Sequence, residues 1–381
     1  MTIATGLVVA NIYYNQPLLS DIAQTFHVSN GVAGHISMIT QLGYAAGMFF
    51  IAPLADMFER KRLMLFAFGA VIIALLGAAM SPNINLLMIA SFLVGVASLI
   101  PQLLVPMAAH LAKPEERGKK IGVVMSGLLI GILLSRTISG VVGKYFGWNA
   151  MFYIAAGLMV VMGLLVYIFL PKVEPDYKGN YKDLMKSLVH LFMDEPKLRF
   201  AALRGALCFA CFMAFWTTLV FLLKENFNLG SDAAGSFGLV GAFGAIAAGL
   251  MGRLSDKMDA FKLSFFTLLL VLVSFIIFIF SGHSIVGLVI GVIVLDMGVQ
   301  ATHISNQAII FTLSAAARNR INTIYMVSYF IGGSLGTLLV SSLWGSYHWM
   351  GVCITGIVLS SIAIAVHLLN HRSMQNKAVS V

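Results

Sequence analysis

Asp296 lies deeper in an apolar run than any other acidic residue of the chain. It sits about eleven residues into the stretch 285–313, while the other fourteen Asp and Glu residues lie in loops or near the ends of such stretches. At about 1.5 Å per helical residue this is ~17 Å from the end of a span, near the bilayer midplane. A carboxylate there costs at least ~2.5–3.5 kcal/mol on insertion scales. Burial favours its protonated form, so it can load and release a proton. At 100° per residue, Gln300, His303 and Gln307 fall within about 40° of it. One helix face therefore reads Asp-Gln-His-Gln. His303 is a relay candidate, because imidazole titrates near neutrality. The bland alternatives are a structural carboxylate and a hydrogen-bonded packing histidine.

Arg136 is the second charge inside an apolar run, 119–142. Asp21, near the end of run 2–24, should lie at similar depth and is one expected partner. A guanidinium also matches carboxylate and phosphate groups of an anionic ligand, and snorkelling to the membrane surface is a third option. Asn11, Tyr14 and Asn15 recur at three- and four-residue spacing, so they share a helix face. Gln102 lies in the fourth run, Trp216, Thr217 and Thr218 in the seventh, and Asn322, Tyr325 and Tyr329 in the eleventh. A lining of amides and aromatics suits a neutral or weakly charged small organic molecule.

Composition excludes most other chemistry. The chain is 59% hydrophobic and 10% charged, whereas soluble domains carry about 25% charged residues. The excess apolar surface must face lipid. The net charge of +9 is not clustered as a nucleic-acid groove reader would need. Cys208-x-x-Cys211 has redox or zinc spacing, but no second pair or nearby His completes a ligand set. Gly238-x-x-Gly241-x-x-Gly244 lacks the preceding strand and following Lys-Ser/Thr of a phosphate loop. We expect no metal, no cofactor and no enzymatic nucleophile–base constellation.

These residues must be positioned by membrane helices. Spanning about 30 Å takes roughly 20 apolar residues. Twelve runs qualify: 2–24, 32–54, 63–81, 84–111, 119–142, 150–171, 199–224, 232–255, 262–281, 285–313, 321–345 and 348–370. Backbone groups in lipid must be satisfied within the segment, and no alternating barrel strands are present, so the runs are helices. The first run lacks a basic leader region and a cleavage site, so it reads as a retained helix. Of the 24 Lys and Arg, twenty lie in the loops after even-numbered spans and in the C-terminal tail. The positive-inside rule then puts both termini in the cytoplasm. Arg204, just inside the seventh run, is expected to snorkel to that side. Leu184, Leu188 and Leu191 recur at helical spacing in the long loop 172–198, with Met185 and Phe192 alongside, predicting an amphipathic helix on the inner membrane surface.

The chain also repeats itself. Leu54-Ala55-Asp56 with Arg60-Lys61-Arg62 is echoed by Leu254-Ser255-Asp256-Lys257, and at an offset of 201 Arg117 matches Arg318, Met125 Met326, Gly131 Gly332 and Trp148 Trp349. A fixed period of this kind decides architecture. The expected organisation is a six-helix bundle over 1–171, a linker over 172–198 and a second six-helix bundle over 199–381.

Twelve spans in two copies, with Ala52-Pro-Leu-Ala-Asp-Met-Phe-Glu-Arg-Lys-Arg62 after the second, resemble the major facilitator superfamily and its motif A. Asn11-Ile-Tyr-Tyr-Asn-Gln-Pro-Leu-Leu19, Leu295-Asp-Met-Gly-Val-Gln300 and Asn322-Thr-Ile-Tyr-Met326 are similar to the branch of drug–proton antiporters and sugar-efflux proteins. The resemblance implies a monomeric plasma-membrane protein, in the inner membrane of a Gram-negative cell. It would move a small molecule by alternating access, without ATP. Spans 1, 4, 7 and 10 would line a cavity. Spans 2, 5, 8 and 11 would form a sliding interface, where Gly43 and Gly47, Gly127 and Gly131, and Gly332 and Gly336 provide small-residue spacing. Asp56, with Arg60 and Arg62, would close the cytoplasmic side by capping a helix end of the other half, and Asp256 would repeat that role. Proton-coupled export, import by proton symport of a metabolite or siderophore-like compound, and a non-transporting sensor remain open at this point.

Overall fold

Proline and polar residues decide where the long apolar runs break. The computed structural model describes residues 1–113, 116–173, 179–241, 243, 260–314 and 317–379. The first run is not one helix. It splits into α1 (Thr2–Ala10), a 3₁₀ turn (Gln16–Leu18) and α2 (Leu19–Phe26). Pro17 has no N–H, and its ring crowds the carbonyl four residues back, so an α-helix cannot run through it. In lipid a neighbouring helix must satisfy the freed backbone. Ser139 does so, its hydroxyl donating to the Tyr14 carbonyl.

The second run is α3 (Asn30–Ala46), whose N-cap Ser29 accepts from Val32 N at 3.3 Å. It then widens into a π-turn (Gly47–Ile51) and tightens into a 3₁₀ turn (Ala52–Asp56) around Pro53. α4 spans Arg60–Ala79. The fourth run is α5 (Ile84–Ala97) and α6 (Ile100–Leu111), separated where Pro101 enters the first turn of α6. α7 (Arg117–Phe146) and α8 (Trp148–Phe169) meet at Gly147. The linker carries α9 (Tyr181–Asp194), at the place its leucine spacing predicts. Leu184 and Leu188 are buried, and the Tyr181 hydroxyl donates to the Phe50 carbonyl at 2.9 Å. α10 covers Pro196–Phe227. Residues 231–241 are helical, but most of the eighth run lies outside the described residues. α11 (Ala260–Phe280), α12 (Ile285–Ile310) and α13 (Arg318–Val379) complete the chain. Within α13 the backbone breaks at His348, which divides the expected eleventh and twelfth spans.

Among the described residues nine helical segments are long and apolar enough to cross a membrane. One of them, Arg318–Asn370, contains two of the expected spans. Their outer faces carry bare apolar side chains: Phe66, Phe169 and Phe280 are 79%, 75% and 81% exposed. In water such a surface would be untenable; facing acyl chains it is required.

The repeat is visible in the backbone itself. The described residues with positive φ are His27, Gly147, Asn228 and His348. At the offset of 201, His27 matches Asn228 and Gly147 matches His348. Each copy therefore turns at the same two places, although only Gly147 is free of a Cβ.

Two compact units form: Met1–Leu184 with Leu219–Leu239, and Met185–Thr218 with Val240–Val381. Segment 185–218 clusters with the second unit and 219–239 with the first. Within that unit Thr137 Oγ1 donates to the Gly235 carbonyl at 2.9 Å, Lys144 pairs with Asp232 at 2.7 Å, and Asn30 donates to Glu225 at 3.2 Å.

The glycine pairs expected at a sliding interface instead close helices inside each unit. Gly43 and Gly47 lie against the Phe92 and Val96 carbonyls of α5. Gly127 and Gly131 lie against Thr2 and Gly6 of α1, and Gly332 and Gly336 against Ala206 and Ala210 of α10. Small residues let backbones approach closely in lipid, where packing rather than the hydrophobic effect holds helices together.

Candidate transport site

Asp296 is buried on α12, 3% exposed. Its Oδ1 accepts from the indole Nε1 of Trp216 on α10 at 3.2 Å, and its Oδ2 lies against Gly241. Trp216 is held from behind by Phe212 and Phe215, with ring centroids 6.0 Å and 5.5 Å away. Trp216, expected as a substrate contact, is thus a buried partner of the carboxylate.

Further along α12, Gln300, His303 and Gln307 are half-buried. His303 Nδ1 lies 3.1 Å from the Tyr325 hydroxyl, and its ring lies 4.9 Å from that of Tyr329. Tyr329 stacks on Phe209 at 4.0 Å. The structure brings Asp296 together with Trp216, and His303 with Tyr325. It shows no hydrogen bond linking Asp296 to His303 among the described residues.

In the first unit Arg136 is 1% exposed. It does not pair with Asp21. Its Nε donates to Gln16 Oε1 at 2.7 Å, and its guanidinium lies over the Tyr13 ring at 5.1 Å. Asp21 sits further along α2, beside Gly143 and hydrogen-bonded to Ser231. The offset of 201 converts Gln16 and Arg136 into Thr217 and Thr337, which also touch, Oγ1 to Oγ1 at 3.3 Å. One contact is therefore built twice, charged in one copy and neutral in the other. Neither Arg136 nor Asp296 has a charged counterpart: Thr337 and Gly95 stand there.

The amides of the first span serve packing within its unit. Asn11 Nδ2 points at Met159 Sδ, 3.3 Å away, and Asn15 Nδ2 donates to Thr40 Oγ1 at 3.1 Å. Tyr14 is buried. Gln102 is half-buried and donates to the Tyr44 hydroxyl at 3.2 Å.

At the motif-A turn Asp56 pairs with Arg60 at 3.9 Å, and Arg60 Nε donates to the Ala55 carbonyl at 3.4 Å. Arg62 instead pairs with Glu59 at 3.1 Å, so the two basic residues divide between two acids. Asp256 lies outside the described residues.

Arg204 corrects an expectation and exposes a cluster the sequence reading missed. It does not snorkel; it is 0% exposed. Nε and Nη2 donate to Asn306 Oδ1 at 3.1 and 2.9 Å, and Nη1 lies 3.1 Å from His367 Nδ1. Phe261 stacks on His367 at 3.8 Å. No carboxylate lies within ion-pair distance of Arg204 among the described residues. The missed signal was the coincidence of polar Asn306 and His367 with apolar runs, far apart in sequence.

Among the described residues the chain is helical, its helices carry exposed apolar faces, and charges are buried deep within them, which defines a multi-pass membrane protein. The chain belongs to the major facilitator superfamily: the family model of that description matches residues 1–337. It is similar to the uncharacterized transporter YgaY of Escherichia coli O157:H7, with 43% identity over 96% of this chain and 93% of that one. It is 33% identical to "Probable transporter SCO4007" of Streptomyces coelicolor, over 96% and 86% of the two chains. Its fold matches the crystal structure of a bacterial homologue of the human lysosomal transporter Spinster in an inward-facing, unoccupied conformation. The TM-score is 0.81 at 16% identity, over 98% and 96% of the chains. The protein is a transporter of the major facilitator type.

Proposed function

We propose that the protein is a proton-coupled exporter of a small organic molecule, working by alternating access between the repeat halves 1–171 and 199–381, with Asp296 as the proton-bearing group. The observation that carries the reading is a buried carboxylate in the middle of α12 whose repeat counterpart is Gly95. A cost of several kcal/mol in lipid is retained in only one copy of a duplicated scaffold, which marks a functional group rather than a folding requirement. Gln300 and Gln307, half-buried on the same face, supply amide contacts for a neutral or weakly charged solute. His303 with Tyr325 supplies a polar step beside them. Export follows the resemblance to the antiporter and sugar-efflux branch. The site lies in the plasma membrane, both termini are cytoplasmic, and the working unit is a monomer.

The test is flux in proteoliposomes under an imposed pH gradient, run with radiolabelled drugs, sugars, amino acids and siderophore-like compounds. Wild-type protein moves one class against its gradient at the expense of the proton gradient. Asp296→Asn loses gradient-driven flux but keeps exchange. Solute uptake running with the proton would establish symport, binding without flux would establish a sensor, and full gradient-driven flux by Asp296→Asn would remove Asp296 from the mechanism.

A further inference from the structure

The internal repeat supplies a control for the surroundings of Asp296. In the first copy Asn15 donates to Thr40 Oγ1, and Gly95 lies against the Thr40 carbonyl. Adding 201 turns Asn15, Thr40 and Gly95 into Trp216, Gly241 and Asp296. These three also meet: Trp216 Nε1 donates to Asp296 Oδ1 at 3.2 Å, and Gly241 lies against Asp296 Oδ2. The donor comes from the same helix in both copies. The glycine has changed sides. In the first copy span 4 gives up its side chain so that its backbone can pass close to the span 2 backbone at Thr40. In the second copy span 8 gives up its side chain so that span 10 can carry a carboxylate. A Cβ on Gly241 would overlap Oδ2, so the carboxylate occupies the space the missing side chain leaves.

We infer that Trp216 and Gly241 are positioning residues for Asp296, which hold its carboxylate in one orientation, Trp216 through its indole N–H and Gly241 through the room it leaves. The inference rests on the reading of Asp296 as the proton-bearing group. Trp216 is 3% exposed and braced by Phe212 and Phe215, so its N–H is fixed in place and the ring is not a solute-facing surface. A hydrogen bond to an ionised acceptor is stronger than one to a neutral acceptor. The indole therefore favours the deprotonated carboxylate over the protonated one, and it sets the pH at which the proton leaves.

The experiment is pH-titrated infrared difference spectroscopy of the purified full-length protein in liposomes, with protons as the only ligand. Wild type shows a carboxyl C=O band that Asp296→Asn removes. Trp216→Phe keeps an aromatic ring and loses the donor. It should move that band to higher frequency and raise its titration midpoint by about one pH unit, a tenfold change in proton affinity. Gly241→Ala should displace both band and midpoint. An unmoved midpoint in Trp216→Phe, with the Asp296 band present, overturns the inference while leaving proton loading intact. A spectrum in which Asp296→Asn removes no band overturns the proton reading itself. If Trp216→Phe does not assemble, Gly241→Ala decides on the same criterion.

Discussion

Asn306→Leu should destabilise the protein out of proportion to the change in side-chain volume, because it strands a charge. Asn306 Oδ1 accepts both Nε and Nη2 of Arg204 at 3.1 and 2.9 Å. Arg204 is fully buried, and among the described residues its other hydrogen-bond partner is His367 Nδ1. Leucine leaves a guanidinium in hydrocarbon with one acceptor instead of two. Hydrogen bonds to charged groups contribute about 1.5–3 kcal/mol each. Two that share one oxygen should sum to less than twice that, so the expected loss is about 2–4 kcal/mol. Arg204→Met removes the charge together with its donors and leaves only neutral acceptors exposed, which costs about 1–3 kcal/mol per group. The double variant Arg204→Met/Asn306→Leu should therefore be more stable than Asn306→Leu alone, since removing a stranded charge relieves its desolvation penalty. Equilibrium unfolding of the four proteins in mixed micelles, read by tryptophan fluorescence, gives the cycle. Additive losses, or a loss under about 1 kcal/mol for Asn306→Leu, would refute the picture of a charge held only by neutral partners.

Other outcomes follow from the same geometry. Arg136→Lys keeps the charge but cannot both reach Gln16 and lie over Tyr13; transport should fall at least tenfold, and a lysine variant with wild-type flux would reduce Arg136 to a simple charge. The Lys144–Asp232 pair is partly exposed, with side chains 48% and 33% accessible, so Lys144→Asp should lower the melting temperature only slightly. Adding Asp232→Lys should restore melting behaviour at low salt, a rescue that fades as ionic strength rises. His348 holds φ 44° and ψ −138°, where its counterpart is Gly147. His348→Gly should raise stability by about 1 kcal/mol, the lower end of the cost of such a backbone, and an unchanged or lowered melting temperature would count against it.

The helices were legible because lipid demands long apolar runs, and the duplication was legible because it preserved spacing. Breaks were less so. Pro17, Pro53 and Pro101 are plain in the sequence, but whether a proline kinks or divides a span depends on which neighbour satisfies the freed carbonyl, and Ser139 is more than a hundred residues from Tyr14. Asp296 stood out because no other carboxylate lies so deep in an apolar run. Arg204 did not, since an arginine near a helix end is normally a snorkelling one; only the packing of α10, α12 and α13 turns it inward to Asn306 and His367. The amides of the first span misled for the opposite reason. Asn11 and Asn15 donate to Met159 and Thr40, while their buried carbonyl oxygens have no hydrogen-bond partner among the described residues.

Duplication makes each copy a reference for the other, although the breaks at Pro17 and Pro101 in the first copy have no equivalent in the continuous α10 and α12 of the second. The turns at His27 and Asn228, and at Gly147 and His348, coincide. So do the backbone crossings of Gly131 with Gly6 and of Gly332 with Ala206. Within that common frame the pair Gln16–Arg136 becomes Thr217–Thr337, and Asn15–Thr40–Gly95 becomes Trp216–Gly241–Asp296. Both neutral versions are packed, Thr217 against Thr337 by the equivalent contact and Asn15 against Thr40 by a different one. Folding alone therefore does not account for Arg136 or Asp296. Each buried charge opposes insertion by several kcal/mol and is surrounded by groups fitted to it: Gln16 and Tyr13 in one copy, Trp216 and Gly241 in the other. A charge whose neighbours have changed to receive it supports the proposed proton-bearing role of Asp296.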